Sequence, residues 1–178
     1  MKKNKTFAAI MLAACFAFFS VSVYAQNKPE LSDPEIASVA VVANQIDINA
    51  GELAKTKSKN SDVINFANTM INDHQAVINQ ATALAKKLNV TPKDNAVSKK
   101  LLADAANTKK MLSAKSGKAF DKAYIDNEVG YHQAVISTIK DLLIPEAQNA
   151  ELKQLLQNVL PALQTHLEHA QMIQKKLE

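Results

Sequence analysis

The sequence predicts an all-α protein built around four long helices, and three observations carry that prediction. Glycine is rare, with 3 in 178 residues, while alanine, leucine, lysine, glutamine and asparagine are abundant. No stretch of useful length alternates apolar and polar residues as a strand would. Proline, glycine and Ser/Asn/Asp clusters divide the chain into long segments whose apolar residues recur at alternating four-three spacing.

The first 25 residues read as a separate unit. "MKKNK" is a basic start, "TFAAIMLAACFAFFSVSV" is apolar, and small residues precede Gln26, so residues 1–25 are expected to be a secretory signal peptide cleaved after Ala25. "LAAC" at Leu12 to Cys15 also matches a lipobox, in which Cys15 would be lipidated. The apolar run before it is short and the run after it stays apolar, which favours simple export. Cleavage leaves 153 residues (178 − 25) without the single cysteine, so a disulfide is not expected to stabilise the mature chain. Three lysines leave as well, giving 18 basic residues (21 − 3) against 17 acidic ones. The basic residues are all lysine, and no basic stripe interleaved with aromatics is present, which argues against nucleic acid as a partner. The expected location is exported, periplasmic or associated with the outer membrane, with an envelope protein or a lipid surface as the candidate partner.

Residues 26–33, "QNKPELSD", form an expected flexible lead-in to a helical domain over residues 34–178. Asp33 before Pro34 predicts a capped helix start, and helix 1 runs to about Lys57. "KSKNSD" is a turn with Ser61 as the predicted cap, and helix 2 runs from about Asp62 to Leu88. Pro92 breaks the chain, and a shorter lysine-rich helix covers Ala96 to Ala114, its lysines a solvated face or a weak contact for anionic lipid heads. After Gly117, helix 3 runs from Lys118 to Ile144 and stops at Pro145. Helix 4 runs from Ala150 to Leu177, with Pro161 inside it as a kink.

Short turns make helices 1 and 2, and helices 3 and 4, antiparallel pairs. The long stretch between helices 2 and 3, carrying its own short helix, suits a crossover that makes those two helices parallel. Two hairpins joined by one long crossover is the ferritin-like form of a four-helix bundle.

Histidines interrupt three apolar stripes. Helix 2 reads Val63, Ala67, Met70, His74, Val77, Ala81, Leu84, Leu88; helix 3 reads Ile125, Val129, His132, Ile136, Ile139, Leu143; helix 4 reads Leu152, Leu156, Val159, Leu163, His166, Ala170, Ile173, Leu177. His74 is 13 residues after Ser61, His132 is 14 after Lys118, and His166 is 16 after Ala150. At about 1.5 Å per residue, each lies roughly 20 Å along its helix, at one common level. Glu128 is four before His132 on the same face, and Asp47 borders the helix-1 stripe of Ile36, Val39, Ala43, Ile46, Ala50 and Leu53 at mid-length. Asp73 lies about 100° round helix 2 from His74, where it would orient an imidazole or accept an interhelical hydrogen bond.

Burial disfavours imidazolium, and neutral imidazole has the lone pair that binds Zn, Fe, Cu, Mn or Ni. Three imidazoles with Asp47 or Glu128 make an ordinary coordination shell for one divalent transition metal, whose identity the sequence does not select. The competing reading is a metal-free network of histidine, carboxylate and tyrosine that holds the helices in register within a structural or interaction module of the envelope. A metalloenzyme is a third reading, disfavoured because no nucleophile or acid–base pair beyond the ligands is visible. His169 is expected at the surface or behind the ligands, Asp121 and Tyr124 as an interhelical hydrogen-bonding pair, and Met70 and Met111 as core residues.

The segments "ANQIDINAGELA" (43–54), "FANTMINDHQ" (66–75), "FDKAYIDNEVGYHQAVI" (120–136) and "LPALQTHLEHAQ" (160–171) together resemble a ferritin-like family of exported bacterial proteins, usually labelled outer-membrane proteins or domains of unknown function. The resemblance implies a ferritin-like bundle and an exported location. It also implies that the family's helix-1 acidic position is Asp47, where Glu is usual, that its Asp-His pair is Asp73 and His74, and that its later histidines are His132 and His166. One departure from ferritin itself is a matter of ligand type. The residues three before the histidines are Ile71, Val129, Leu163 and His166, so the Glu-x-x-His motif of di-iron carboxylate bundles is missing and no di-iron centre is expected.

Overall fold

The computed structural model describes residues 30–178 and contains only helices among them. The expected signal peptide, Cys15 and the first residues of the lead-in lie outside the described residues. The elements are α1 (Asp33–Lys57), α2 (Ser61–Lys87), α3 (Ala96–Ser113), α4 (Gly117–Thr138), a π-helical turn (Ile139–Leu143), α5 (Ile144–Glu146) and α6 (Ala150–Lys176). None of these helices is long and apolar enough to cross a membrane.

The helix starts differ from expectation by a residue for clear chemical reasons. Ser32, not Asp33, caps α1, because Glu35 reaches back to the Ser32 amide at 3.0 Å and closes a capping box. Asp33 is thereby free to accept the Gln148 and Asn149 amides, both at 2.9 Å, which ties the start of α1 to the start of α6. Asn60, not Ser61, caps α2, accepting from Asp62 and Val63. Helix 3 of the sequence reading does not run unbroken to Ile144: α4 yields at Thr138 to the π-helical turn, and the chain stays helical through Pro145 to Glu146. Proline lacks the amide an α-turn needs and crowds the carbonyl four residues back, and the π-turn just before it is where the α-helical pattern widens. The long α6 continues through Pro161.

Contacts between helix ends fix their directions. The Lys93 amide donates to the Pro34 carbonyl at 2.9 Å, so the end of α2 lies by the start of α1. Asn95 donates to the Glu35 carbonyl and Lys57 to that of Ser113, so α3 runs beside α1 in the same direction and returns the chain to the far end. There Lys57 lies over the Phe120 ring near the start of α4. Lys176 pairs with Asp62 at 2.9 Å, and Gln174 donates to Asp126 at 2.8 Å, so α6 runs opposite to both α2 and α4. Consequently α2 and α4 are parallel, and α3 is the crossover between them.

Phe66, Met70, Phe120, Tyr124, Ile125, Ala170 and Ile173 fill one half of the core with almost no exposure. Gly51 permits the close approach of α1 and α2, since a methyl there would meet the Ala67 carbonyl at 3.1 Å and Ile71 Cγ1 at 3.0 Å. Past Val39 the buried residues of α1 are Asp47, Ile48, Gly51 and Ala54, whereas Ala43, Ile46, Ala50 and Leu53 are half-buried. Met111 is 42% exposed on α3, contrary to a core assignment, because that helix buries only Ser98 and Leu112. Met70 is fully buried, as expected.

Candidate metal centre

His74 from α2, His132 from α4 and His166 from α6 meet in the middle of the core. Their ring centroids are 5.8, 5.3 and 5.5 Å apart for the pairs His74–His132, His74–His166 and His132–His166. Each ring offers one nitrogen within 4.8 Å of those of the other two, and all three residues are buried. Asp47, from α1, lies beside two of these rings, its Oδ2 3.1 Å from His74 Nε2 and 3.6 Å from His132 Nε2. Four helices thus each bring one candidate donor to this part of the core. Asp47 is almost fully buried rather than at the border of the stripe.

The other nitrogen of every ring is already held. Asn44 gives its amide NH2 to the Ala40 carbonyl at 2.7 Å, which turns its oxygen to His74 Nδ1, also at 2.7 Å. His132 Nδ1 donates to the Glu128 carbonyl at 3.0 Å, and His166 Nε2 donates to Asp73 Oδ2 at 2.9 Å. Those bonds put a proton on the outer nitrogen of each neutral ring. What remains is a lone pair on His74 Nε2, His132 Nε2 and His166 Nδ1, and these three atoms are buried without a hydrogen-bond partner. Both oxygens of Asp47 and of Glu128 are equally unpartnered.

The charges are consistent with this arrangement. Burial raises the Asp47 carboxyl, but the hydrogen-bonding contact with His74, and then the positive charge that His74, His132 and His166 carry when protonated, outweigh it and hold the group below its ordinary range. Burial, and then the Asp47 charge, push Glu128 well above the usual carboxylate range. Two adjacent buried carboxyls divide in this way because only one keeps its charge. Burial lowers the His132 and His166 imidazoles; Asp47 partly offsets this at His132, and Asp73 at His166. Neutral His132 and His166 rings and one ionised carboxylate are protonation states that suit a cation.

Glu128 sits behind the centre, with Oε2 3.7 Å from His132 Nδ1, and forms a second buried group with Asp47 and His132. Asp73 holds His166 across the interface, as its angle on α2 suggested. His169 is half-buried with its ring edge-on to Phe66 at 5.3 Å. Asp121 and Tyr124 do not form the expected pair: Asp121 Oδ1 and the Tyr124 hydroxyl are both buried without partners. The two lie three apart on one helix, so they cannot bridge two helices, and the Tyr124 hydroxyl feels Glu128 and Asp47 instead. Sequence reasoning missed Asn44 and Tyr131. The Tyr131 hydroxyl donates to the Ala43 carbonyl at 2.8 Å and pins α4 to α1 beside the centre. The signal for Asn44 was its place one turn before Asp47, at three-residue spacing.

The family model described as a domain of unknown function, DUF4142, matches residues 20–173 and so takes in every residue of the centre. No curated protein and no solved structure matches the chain.

Proposed function

The chain belongs to the DUF4142 family, and from that premise we propose that it is an exported, ferritin-like four-helix bundle holding one divalent transition metal in its core. His74 Nε2, His132 Nε2 and His166 Nδ1 are the nitrogen donors and Asp47 the carboxylate, with Glu128 as the neighbouring carboxyl that adjusts the charge. The observation that carries this reading is the set of buried, unpartnered lone pairs facing one point, each on a ring whose outer nitrogen is fixed by Asn44, Glu128 or Asp73. Leaving such groups empty costs roughly 1–3 kcal/mol each, and a cation satisfies them together. Acceptors on the outer nitrogens orient ligating histidines in many metal sites. Three imidazoles and a carboxylate, without thiolate, suit Zn, Fe, Mn, Ni or Cu.

The bound ion would supply Lewis acidity at this point of the core, and the protein's part is to hold it. Metal retention or protection of the cell envelope under stress is the role we propose, with an envelope protein or lipid surface as the partner. The basic, apolar opening of residues 1–25 supports export.

Elemental analysis of protein purified without a histidine tag tests the reading. The expected result is about one metal per chain, lost in a His74→Ala/His132→Ala double variant. Protein that takes up no metal across Zn, Fe, Mn, Ni and Cu loading would falsify it.

A further inference from the structure

Beyond the histidine layer the core does not close. On α2 the stripe residues before His74 are fully buried, but Val77, Ala81, Leu84 and Leu88 after it are half-buried. A cavity of about 920 Å³ occupies that half of the molecule, and Asp47, His74, His132 and His166 form its inner end. Its walls are mainly apolar, and alanines such as Ala43, Ala50 and Ala81 leave the room that larger side chains would fill. Near Gln80 and Asn158, both exposed, it adjoins a shallow groove between α2 and α6. Beyond the groove Lys87 pairs with Glu151 and ties the two helices together.

Length, lining and polarity together define what fits. His74 and Leu88 are fourteen residues apart on the α2 line (88 − 74), or roughly 20 Å at about 1.5 Å per residue. One leaflet of a bilayer is about 15 Å of hydrocarbon, half of the usual core, so an acyl chain of that length reaches from the histidines about three-quarters of the way to Leu88. The volume lies within the range of small-molecule sites, roughly 300–1,000 Å³. Asp47, His74, His132 and His166 make the inner end polar, as Asp104 and Lys109 do along α3, and the unpartnered atoms of the inner end are acceptors and lone pairs. An anion is repelled there without a cation. A divalent ion held by three neutral imidazoles and the Asp47 carboxylate keeps net positive charge, and attracts one.

We propose that the cavity binds a single-chain carboxylic acid of the fatty-acid class, its carboxylate on the metal and its tail along α2 toward the Gln80–Asn158 opening. This rests on the metal reading and adds the ligand to it. The apolar chain replaces water on the Val77, Ala81 and Leu84 surface, and the metal replaces the solvation the carboxylate loses.

The test is displacement of a fluorescent polyene fatty acid by palmitate, on metal-loaded and on chelator-treated full-length mature protein, with elemental analysis of each sample. The expected result is one site per chain, weakened at least about tenfold by metal removal, with hexadecanol competing at least about tenfold less well than palmitate. Ala81→Phe fills the cavity away from the donors and should abolish binding while the metal content stays unchanged. Ala50→Leu is the milder replacement should Ala81→Phe lose its helical circular dichroism. Equal palmitate affinity with and without metal, or unchanged affinity in the filled variant, overturns the ligand proposal while leaving the metal centre intact. Absence of metal from every sample overturns both.

Discussion

His74 and Asn44 are locked to each other across two helices: the imidazole Nδ1 lies 2.7 Å from the amide oxygen, and the amide is itself fixed by the Ala40 carbonyl. That bond decides which nitrogen of His74 faces the centre. Asn44→Leu removes the acceptor, frees the ring to choose the other tautomer, and leaves the four donors in place. Metal affinity should fall by about 10–100-fold, with the fold retained. Competition against a chelator of known affinity measures it, and unchanged affinity would show that the orientation of His74 is set elsewhere.

Metal should stabilise the fold by mass action. At free metal about 100-fold above Kd the gain is about 2.7 kcal/mol, which for a domain of this size raises Tm by roughly 5–10 °C. Differential scanning calorimetry with and without chelator reads the shift. The His132→Ala variant, lacking one donor, should show little of it.

Mild acid should weaken the metal-free protein. Burial lowers the His132 and His166 imidazoles, so between those lowered values and the unfolded value of about 6.5 the unfolded chain binds more protons. Their contribution is complete above about pH 6.5 and is lost as pH falls through the folded values. Urea midpoints taken from about pH 7.5 down to about pH 5 should therefore decline, and a flat profile would contradict the buried neutral state.

Glu128 acts with the opposite sign. Burial and the Asp47 charge raise its carboxyl, so the folded chain keeps a proton that the unfolded chain releases near pH 4.5. Its contribution is present below that unfolded value and is lost as pH rises through the raised folded value. Glu128→Gln keeps the shape and removes the titration. Urea midpoints of this variant should decline less between neutral and alkaline pH than those of the parent; an identical alkaline limb would mean that Glu128 is already ionised.

Much of the candidate centre was legible because side chains that meet at one point of a bundle must share a level and a face, and that requirement is written as spacing. His74, His132 and His166 could be found on their stripes, and Asp73 by its angle on α2. The helices were legible for the same reason, with Pro92, Gly117 and Pro145 marking the breaks to within a few residues. The full burial of Asp47 was not legible, because no pattern within α1 alone records what α2 presents to it near Gly51. Asn44 was hidden likewise, since an asparagine orienting a ring looks like any half-exposed polar residue until its partner is known. Asp121 and Tyr124 lie one turn apart on a single helix, so their proximity in sequence reports a shared face and not a bond between helices.

The four candidate donors divide two and two along the chain. Asp47 and His74 lie before the Ala114–Ser116 turn, His132 and His166 after it, and α3 closes the first group as a unit. A chain nicked at that turn would thus give two fragments, neither with a full donor set. Reassembly of such a split protein should depend on the ion, and a reporter fused across the nick would light up only where the metal is present.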